Sequence, residues 1–269
     1  MTLPAMLACL LLQQTWVVDD NGGPGVSFTD TPPAVAAAAD GDVVVVKPGQ
    51  YSPFTVSGKG LRILGEDRLT TIVRSFTATV STIADAPAGS PVVLECRSFG
   101  FPGLGLDLPQ QLRILGSTTV AVVEQVTIDG EVFGPLASPP FGPGLLADGA
   151  EVHLRHRSIS GPPGTLAGPG LPQDLPGKPA LSVVNGGKVE VASSGLVGGS
   201  GAGQIAFGDV AGVGGPGISI SSSPGTLSVL RVVGSAVHGG LGGTGACISP
   251  CLGTPVGAPG GPGILAASS

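Results

Sequence analysis

The chain has 269 residues, 42% of them hydrophobic and only 11% charged, with a net charge of −6 at pH 7. That is ample apolar material for a core and excludes a chain disordered throughout. Twelve Lys and Arg with no basic stripe, one Trp and one Tyr leave neither the positive surface nor the stacking platforms that nucleic-acid binding needs.

Taken in order, the chain opens on an apolar stretch, Leu3–Leu12, too short to span a bilayer and similar to the apolar region of a secretory signal. Residues 1–15 are therefore read as a signal peptide, which puts the protein outside the cell or on its surface. The stretch lacks a positive start and a small-residue cleavage site, so a mis-assigned start or a buried first strand stays open. Met6–Cys9 makes a poor lipobox. No other segment is long enough for a transmembrane helix.

Trp16–Asp20 reads as a short strand and Asn21–Gly25 as a loop. Asp30-Thr31-Pro32-Pro33 followed by Ala34–Ala39 predicts a two-turn helix: Asp30 or Thr31 caps it, proline suits the first turn, and the alanine run has high helix propensity. It should end near Asp40-Gly41 and cover the open end of a strand stack. From Ala39 to Gly65 three apolar runs, Val43–Val46, Phe54–Val56 and Leu61–Leu64, are each cut off by a turn signal: Pro48-Gly49, read as a type II turn, Ser57-Gly58 and Gly65. Such runs leave no room for crossover helices, so the chain should coil and lay strands of successive turns side by side. In this stretch Asp40, Gly41, Lys59 and Tyr51 are assigned structural roles, with the Tyr51 hydroxyl in water.

These residues carry a resemblance. The order W-V-V-D at 16–19, G-G-P-G-V-S-F-T-D at 22–30, the alanine run leading into D-G-D-V-V-V-V-K-P-G-Q-Y at 40–51, and F-T-V-S-G-K-G-L-R-I-L-G at 54–65 resembles the amino-terminal section of secreted bacterial right-handed parallel β-helix proteins of the pectin-lyase-like superfamily. It covers about residues 16–65; beyond them only the style of repetition is similar. The resemblance implies an all-β fold, a single right-handed parallel β-helix over 16–269 with residues 16–42 as its cap. Many members of that group have no known activity, so it implies fold more than chemistry.

Residues 66–133 continue with strand candidates Thr70–Arg74, Ala78–Ile83, Val92–Cys96, Gln111–Leu115, Val120–Val123 and Val126–Ile128, and QLRILG at 111–116 echoes GLRILG at 60–65. Glycine and proline then concentrate in residues 134–269, where the chain repeats visibly. Pro143, Pro179, Pro216 and Pro262 open units 36, 37 and 46 residues apart, a solenoid period. Each unit reads as strand, tight turn, strand, a short third run such as Ser158–Ser160, and a long Gly/Pro loop leaving on one side. The fourth unit stops after one strand, so that end is expected to be truncated, frayed or covered by a partner.

Chemistry-bearing residues are few. A lyase of this fold would need stacked carboxylates for Ca²⁺ and a basic residue to abstract a proton. Asp107, Asp129 and Asp148 have a spacing that allows stacking at one corner, although Asp-Gly pairs are also ordinary turn dipeptides. Glu151–Arg157 is the densest polar cluster; strand alternation puts Glu151, His153, Arg155 and Arg157 on one outward row able to meet an anionic sugar, with His153 and His156 on opposite faces. His238 stands in a glycine loop. Cys96 reads as a small buried strand residue. Cys247 and Cys251 suit a local disulfide in an oxidising compartment better than a zinc site. No lyase, polygalacturonase, nucleophile-elbow or phosphate-loop pattern is present. The sequence thus predicts a secreted or cell-surface scaffold without catalysis and without a required cofactor, its partner a polysaccharide or other surface component met on the loop-bearing side. A polysaccharide lyase or glycoside hydrolase is the alternative, and a passenger segment of a larger surface protein the third reading.

Overall fold

The computed structural model describes residues 13–67, 70–74, 79–99, 112–116, 120–128, 142–164, 176–202, 211–243 and 258–268, with the backbone alone at 96–99 and 268. Asp107, Asp129, Cys247, Cys251 and the side chain of Cys96 lie outside the described residues.

The chain coils seven times. A first strand, β1 (Thr15–Val18), and the helix α1 (Thr31–Ala37) precede the coils. The first coil is β2 (Val43–Val46), β3 (Gly49–Tyr51) and β4 (Thr55–Ser57); the second is β5 (Arg62–Gly65), β6 (Thr71–Val73) and β7 (Ser81–Ala84). The third holds β8 (Val92–Phe99) and β9 (Leu112–Leu115), and the fourth β10 (Val120–Ile128) and β11 (Leu145–Asp148). The fifth is β12 (Glu151–Arg155), β13 (Ser158–Ser160) and β14 (Leu181–Val184), and the sixth β15 (Lys188–Ala192), β16 (Gly195–Val197) and β17 (Ile218–Ser222). The last is β18 (Val229–Val233), β19 (Ala236–His238) and β20 (Ile264–Ser268).

Each return of the chain lands beside the strand laid down one turn earlier, and every pair of these strands is parallel. One sheet runs β1-β2-β5-β8-β10-β12-β15-β18, with a second line of short strands, β3, β6, β13, β16 and β19, continuing it past a bend. The other runs β4-β7-β9-β11-β14-β17-β20. The sheets are not closed into a barrel. This all-β, parallel arrangement with one helix is compatible with a parallel β-helix or solenoid.

The register stacks like on like. Val44, Ile63, Leu94, Val123, Leu154 and Val191 follow one another rung by rung and are all fully buried. The other sheet stacks Val56, Ile83, Ile114, Ala147 and Val183 in the same way. Each large aliphatic so buried contributes about 1.5–3 kcal/mol, and this repeated burial is what fixes the register.

The bend is made by one left-handed residue per coil: Gln125 (φ 53°), His156 (φ 53°), Ser193 (φ 49°) and Gly234 (φ 53°), aligned by the flanking register. It resets the alternation, so the residue after it is buried in the last three described cases with a side chain of any type: Val126, Arg157 and Ser194. Arg157 is therefore not on the outward row that unbroken alternation predicts; it is 5% exposed. At this corner Ser194 Oγ accepts the Arg157 N–H and donates to the Ala192 carbonyl, and Ser235 Oγ repeats the pattern with the Ser194 N–H and the Val233 carbonyl.

Helix α1 begins where expected, with Asp30 as N-cap accepting the N–H groups of Thr31 (2.7 Å) and Ser52 (2.9 Å). It ends at Ala37, earlier than the sequence suggests, because Lys59 Nζ donates to the carbonyls of Val35 (2.7 Å) and Ala38 (2.6 Å) and satisfies its last turn. Two turns would not persist alone; buried Thr31, Ala34 and Val35 seat the helix on the first strands. Two further expectations change. Tyr51 is 2% exposed, and its hydroxyl donates to the Lys47 carbonyl rather than to water. Gly49 opens β3 instead of closing a turn, and a Cβ there would lie 2.6 Å from the Asp20 carboxylate.

The glycine-rich excursions are ordered where described. Outgoing limbs 161–164, 198–202 and 239–243 and returning limbs 176–180, 211–217 and 258–263 pack as two layers. Outgoing limbs are parallel: Gly161 and Gly164 donate to Val197 and Ser200, and Gly198 and Gly201 to His238 and Leu241. Outgoing and returning limbs are antiparallel: Gly215 and Gly212 donate to Gly199 and Ala202, and Gly240 and Gly243 to Gly215 and Gly212. Donors recur every third residue, the period of a polyproline II strand, which satisfies no hydrogen bond internally. Backbones approach so closely that a Cβ on Gly199 would sit 1.9 Å from the Pro162 carbonyl oxygen, and one on Gly240 1.9 Å from that of Gly199.

Candidate functional site: a charged face on the long strands

The first-line strands present their odd positions outward. Register places Arg62, Val93, Val122, His153, Glu190 and Arg231 in one row across the coils, and Leu64, Glu95, Glu124, Arg155, Ala192 and Val233 in the next. Glu151 and Lys188 pair beside them. Burial of the alternate residues forces these side chains out, with Val152 and Leu154 at 0% exposure on either side of His153.

Along this face opposite charges meet. Arg62 lies 3.9 Å from Glu95, Arg231 3.6 Å from Glu190, His153 3.7 Å from Glu151, and His156 3.6 Å from Glu124. The carboxylates of Glu95, Glu124, Glu151 and Glu190 are thus matched by Arg62, Arg155, Lys188 and Arg231. Exposed pairs of this kind add little stability, so the matching matters more for what the face presents: a flat, neutral, hydrogen-bonding lattice with the strand spacing of about 4.8 Å.

Of the four residues predicted to form an outward row, Glu151, His153 and Arg155 do so, and Arg157 turns in. His156, expected to face away from the row, is exposed at the corner beside it because of its left-handed backbone. Glu95, Glu124, Lys188, Glu190 and Arg231 complete the face. Their signal was present as polar residues at alternate positions of the strand runs, but it takes the register between coils to show that they meet. The face is separated from the excursions by the line of short strands on one side and by the second sheet on the other.

Asp148 stands at the opposite corner, before Gly149 (φ 61°). Its Oδ1 accepts the Asn185 side-chain N–H at 2.7 Å, and Asn185 Oδ1 accepts the Ser223 hydroxyl at 2.7 Å. This ladder ties three successive turns together and gives Asp148 a turn role. No group of three His, Cys, Asp or Glu able to hold a metal ion occurs among the described residues.

The cap has its own polar centre. Buried Asp42 accepts the Gln14 N–H (2.9 Å), the Trp16 indole N–H (3.0 Å) and the Ala39 N–H (2.8 Å). Burial alone would raise its pKa; the three donors and the Lys59 charge outweigh it and hold the carboxyl below its ordinary value. Near it, Trp16 and Phe28 pack with ring centroids 5.5 Å apart, beside an open depression of about 390 Å³ bordered by Gly22, Val26 and Pro33. No helix among the described residues is long and apolar enough to cross a membrane. Comparison with known protein families, curated proteins and solved structures finds no match to this chain.

Proposed function

We propose that this protein is a secreted or cell-surface scaffold of the right-handed parallel β-helix type, similar to pectin-lyase-like proteins, and that it binds a polysaccharide without cleaving it. The observation that carries this reading is the matched-charge face. Its carboxylates are answered by cations within the same lattice rather than gathered against a base in a cleft, and its rungs repeat on the scale of a sugar ring. Neutral matched charge suits many shallow hydrogen bonds to an extended polymer. The glycine excursions, almost without charge, serve as a stiff flank rather than as the contact surface expected from sequence.

The test is a glycan array probed with the full chain, run beside an assay for unsaturated or reducing sugar products. Retention of a polysaccharide without product is expected, and Arg155→Ala should weaken retention about five-fold, the effect shrinking at high salt. Product release by the wild-type protein would establish the lyase or hydrolase alternative instead.

A further inference from the structure

The coil stack has two unlike ends. At the first, α1 lies across the opening and Asp42 and Lys59 hold it there. At the other, β18 pairs only β15, β19 only β16 and β20 only β17 among the described strands. The inward stack runs out into solvent: Leu230 and Val232 are only partly buried, where the preceding coil buries Val189 and Val191. Ile264, which continues the stack of Leu181 and Ile218, is 50% exposed. Around this opening Val229 is 44%, Val233 46%, Leu265 46% and Leu227 75% exposed. A clustered apolar rim with unpaired strand edges marks an interaction surface.

We infer that this surface is a homotypic interface, where two copies of the chain meet end to end through β18, β19 and β20. Three observations select a second copy. Beyond Glu190 the only formally charged side chains are Asp209 and Arg231, so two such ends approach without like-charge repulsion. The opposite end is closed by α1, so the open end of one copy has no matching strand edge at the helix-bearing end of another; a two-fold contact between open ends is left, and it closes at two copies. Such a contact sets antiparallel neighbours against each other, and the glycine limbs already bond antiparallel, Gly261 to Gly240 and Ala258 to Gly243. The last returning limb can therefore receive the same limb of its partner with the bonding it uses internally.

Sedimentation equilibrium of the full chain should return twice the 26.2 kDa chain mass. Val229→Lys with Leu265→Lys should return the single-chain mass with an unchanged far-ultraviolet spectrum. Without any variant, hydrogen exchange should show protection of 229–238 and 264–268 rising with protein concentration and protection elsewhere constant. A wild-type protein that stays at chain mass up to about 100 µM, weak even for a transient pair, overturns the inference. So does a dimer that survives both lysines, open-ended growth beyond two copies, or concentration-dependent protection at any other strand.

Discussion

Asp42 shows how much one side chain does at the start of the stack. Three hydrogen bonds converge on its carboxylate from the strand before the helix, the indole of Trp16 and the end of the helix. Asp42→Asn keeps the shape but loses the charge that strengthens those bonds, and should cost about 2 kcal/mol in urea unfolding. Because its folded pKa is depressed, the wild-type advantage over Asp42→Asn is fully present above the unfolded carboxyl's pKa of about 3.9. It disappears as pH falls through the lower folded value; a gap that instead widens on acidification would contradict this. At the bend, His156 occupies a left-handed conformation. His156→Gly should leave stability unchanged or raise it by about 0.5 kcal/mol, whereas His156→Val should lower the urea midpoint by an equivalent of about 1–2 kcal/mol. Neither residue's role was legible in the sequence. Asp42 reads as part of a turn dipeptide, and nothing local distinguishes the left-handed His156 from a strand residue, so alternation carried past it put Arg157 on the wrong side.

At the scale of elements, the strands were legible because each apolar run ends at a residue that breaks it. The helix was legible from its cap and prolines. One strand, β10, joins two runs that sequence reading kept apart, because the bend at Gln125 interrupts the alternation without interrupting the pairing. The glycine limbs were read as loops. Their signal was spacing rather than abundance: Gly161 and Gly164, Gly198 and Gly201, Gly212 and Gly215, Gly240 and Gly243 all stand three apart. That period means nothing until a second limb lies alongside. Two substitutions separate packing from backbone freedom. Gly199→Ala drives a Cβ into the Pro162 carbonyl, where no side chain can move aside, and should cost more than about 3 kcal/mol. Gly225→Ala, at φ +81° with open space around it, should cost only about 1–2 kcal/mol. Equal costs in chemical denaturation would mean that the limbs do not pack as described.

For the molecule as a whole, each coil touches mainly the coils before and after it, so stability should be a sum of nearest-neighbour contacts. Hydrogen exchange at low concentration should accordingly be slowest in β10, β12 and β15, inside the stack, and fastest in β18 and β20 at its open end. Uniform protection would point to a single cooperative unit. The coil count and the period were legible from the prolines, since each precedes a strand of the second sheet. The charged face was not, because coils of 31, 37 and 41 residues between Val120, Glu151, Lys188 and Val229 hide the vertical alignment. Those unequal lengths carry a last consequence of the three-residue bonding between limbs. An excursion that lengthens by one residue slides every glycine beyond the insertion out of its slot and brings a side chain against a neighbouring carbonyl. Growth by a triplet on each arm restores the fit, so drift in this flank should proceed by whole steps, like teeth on a rack.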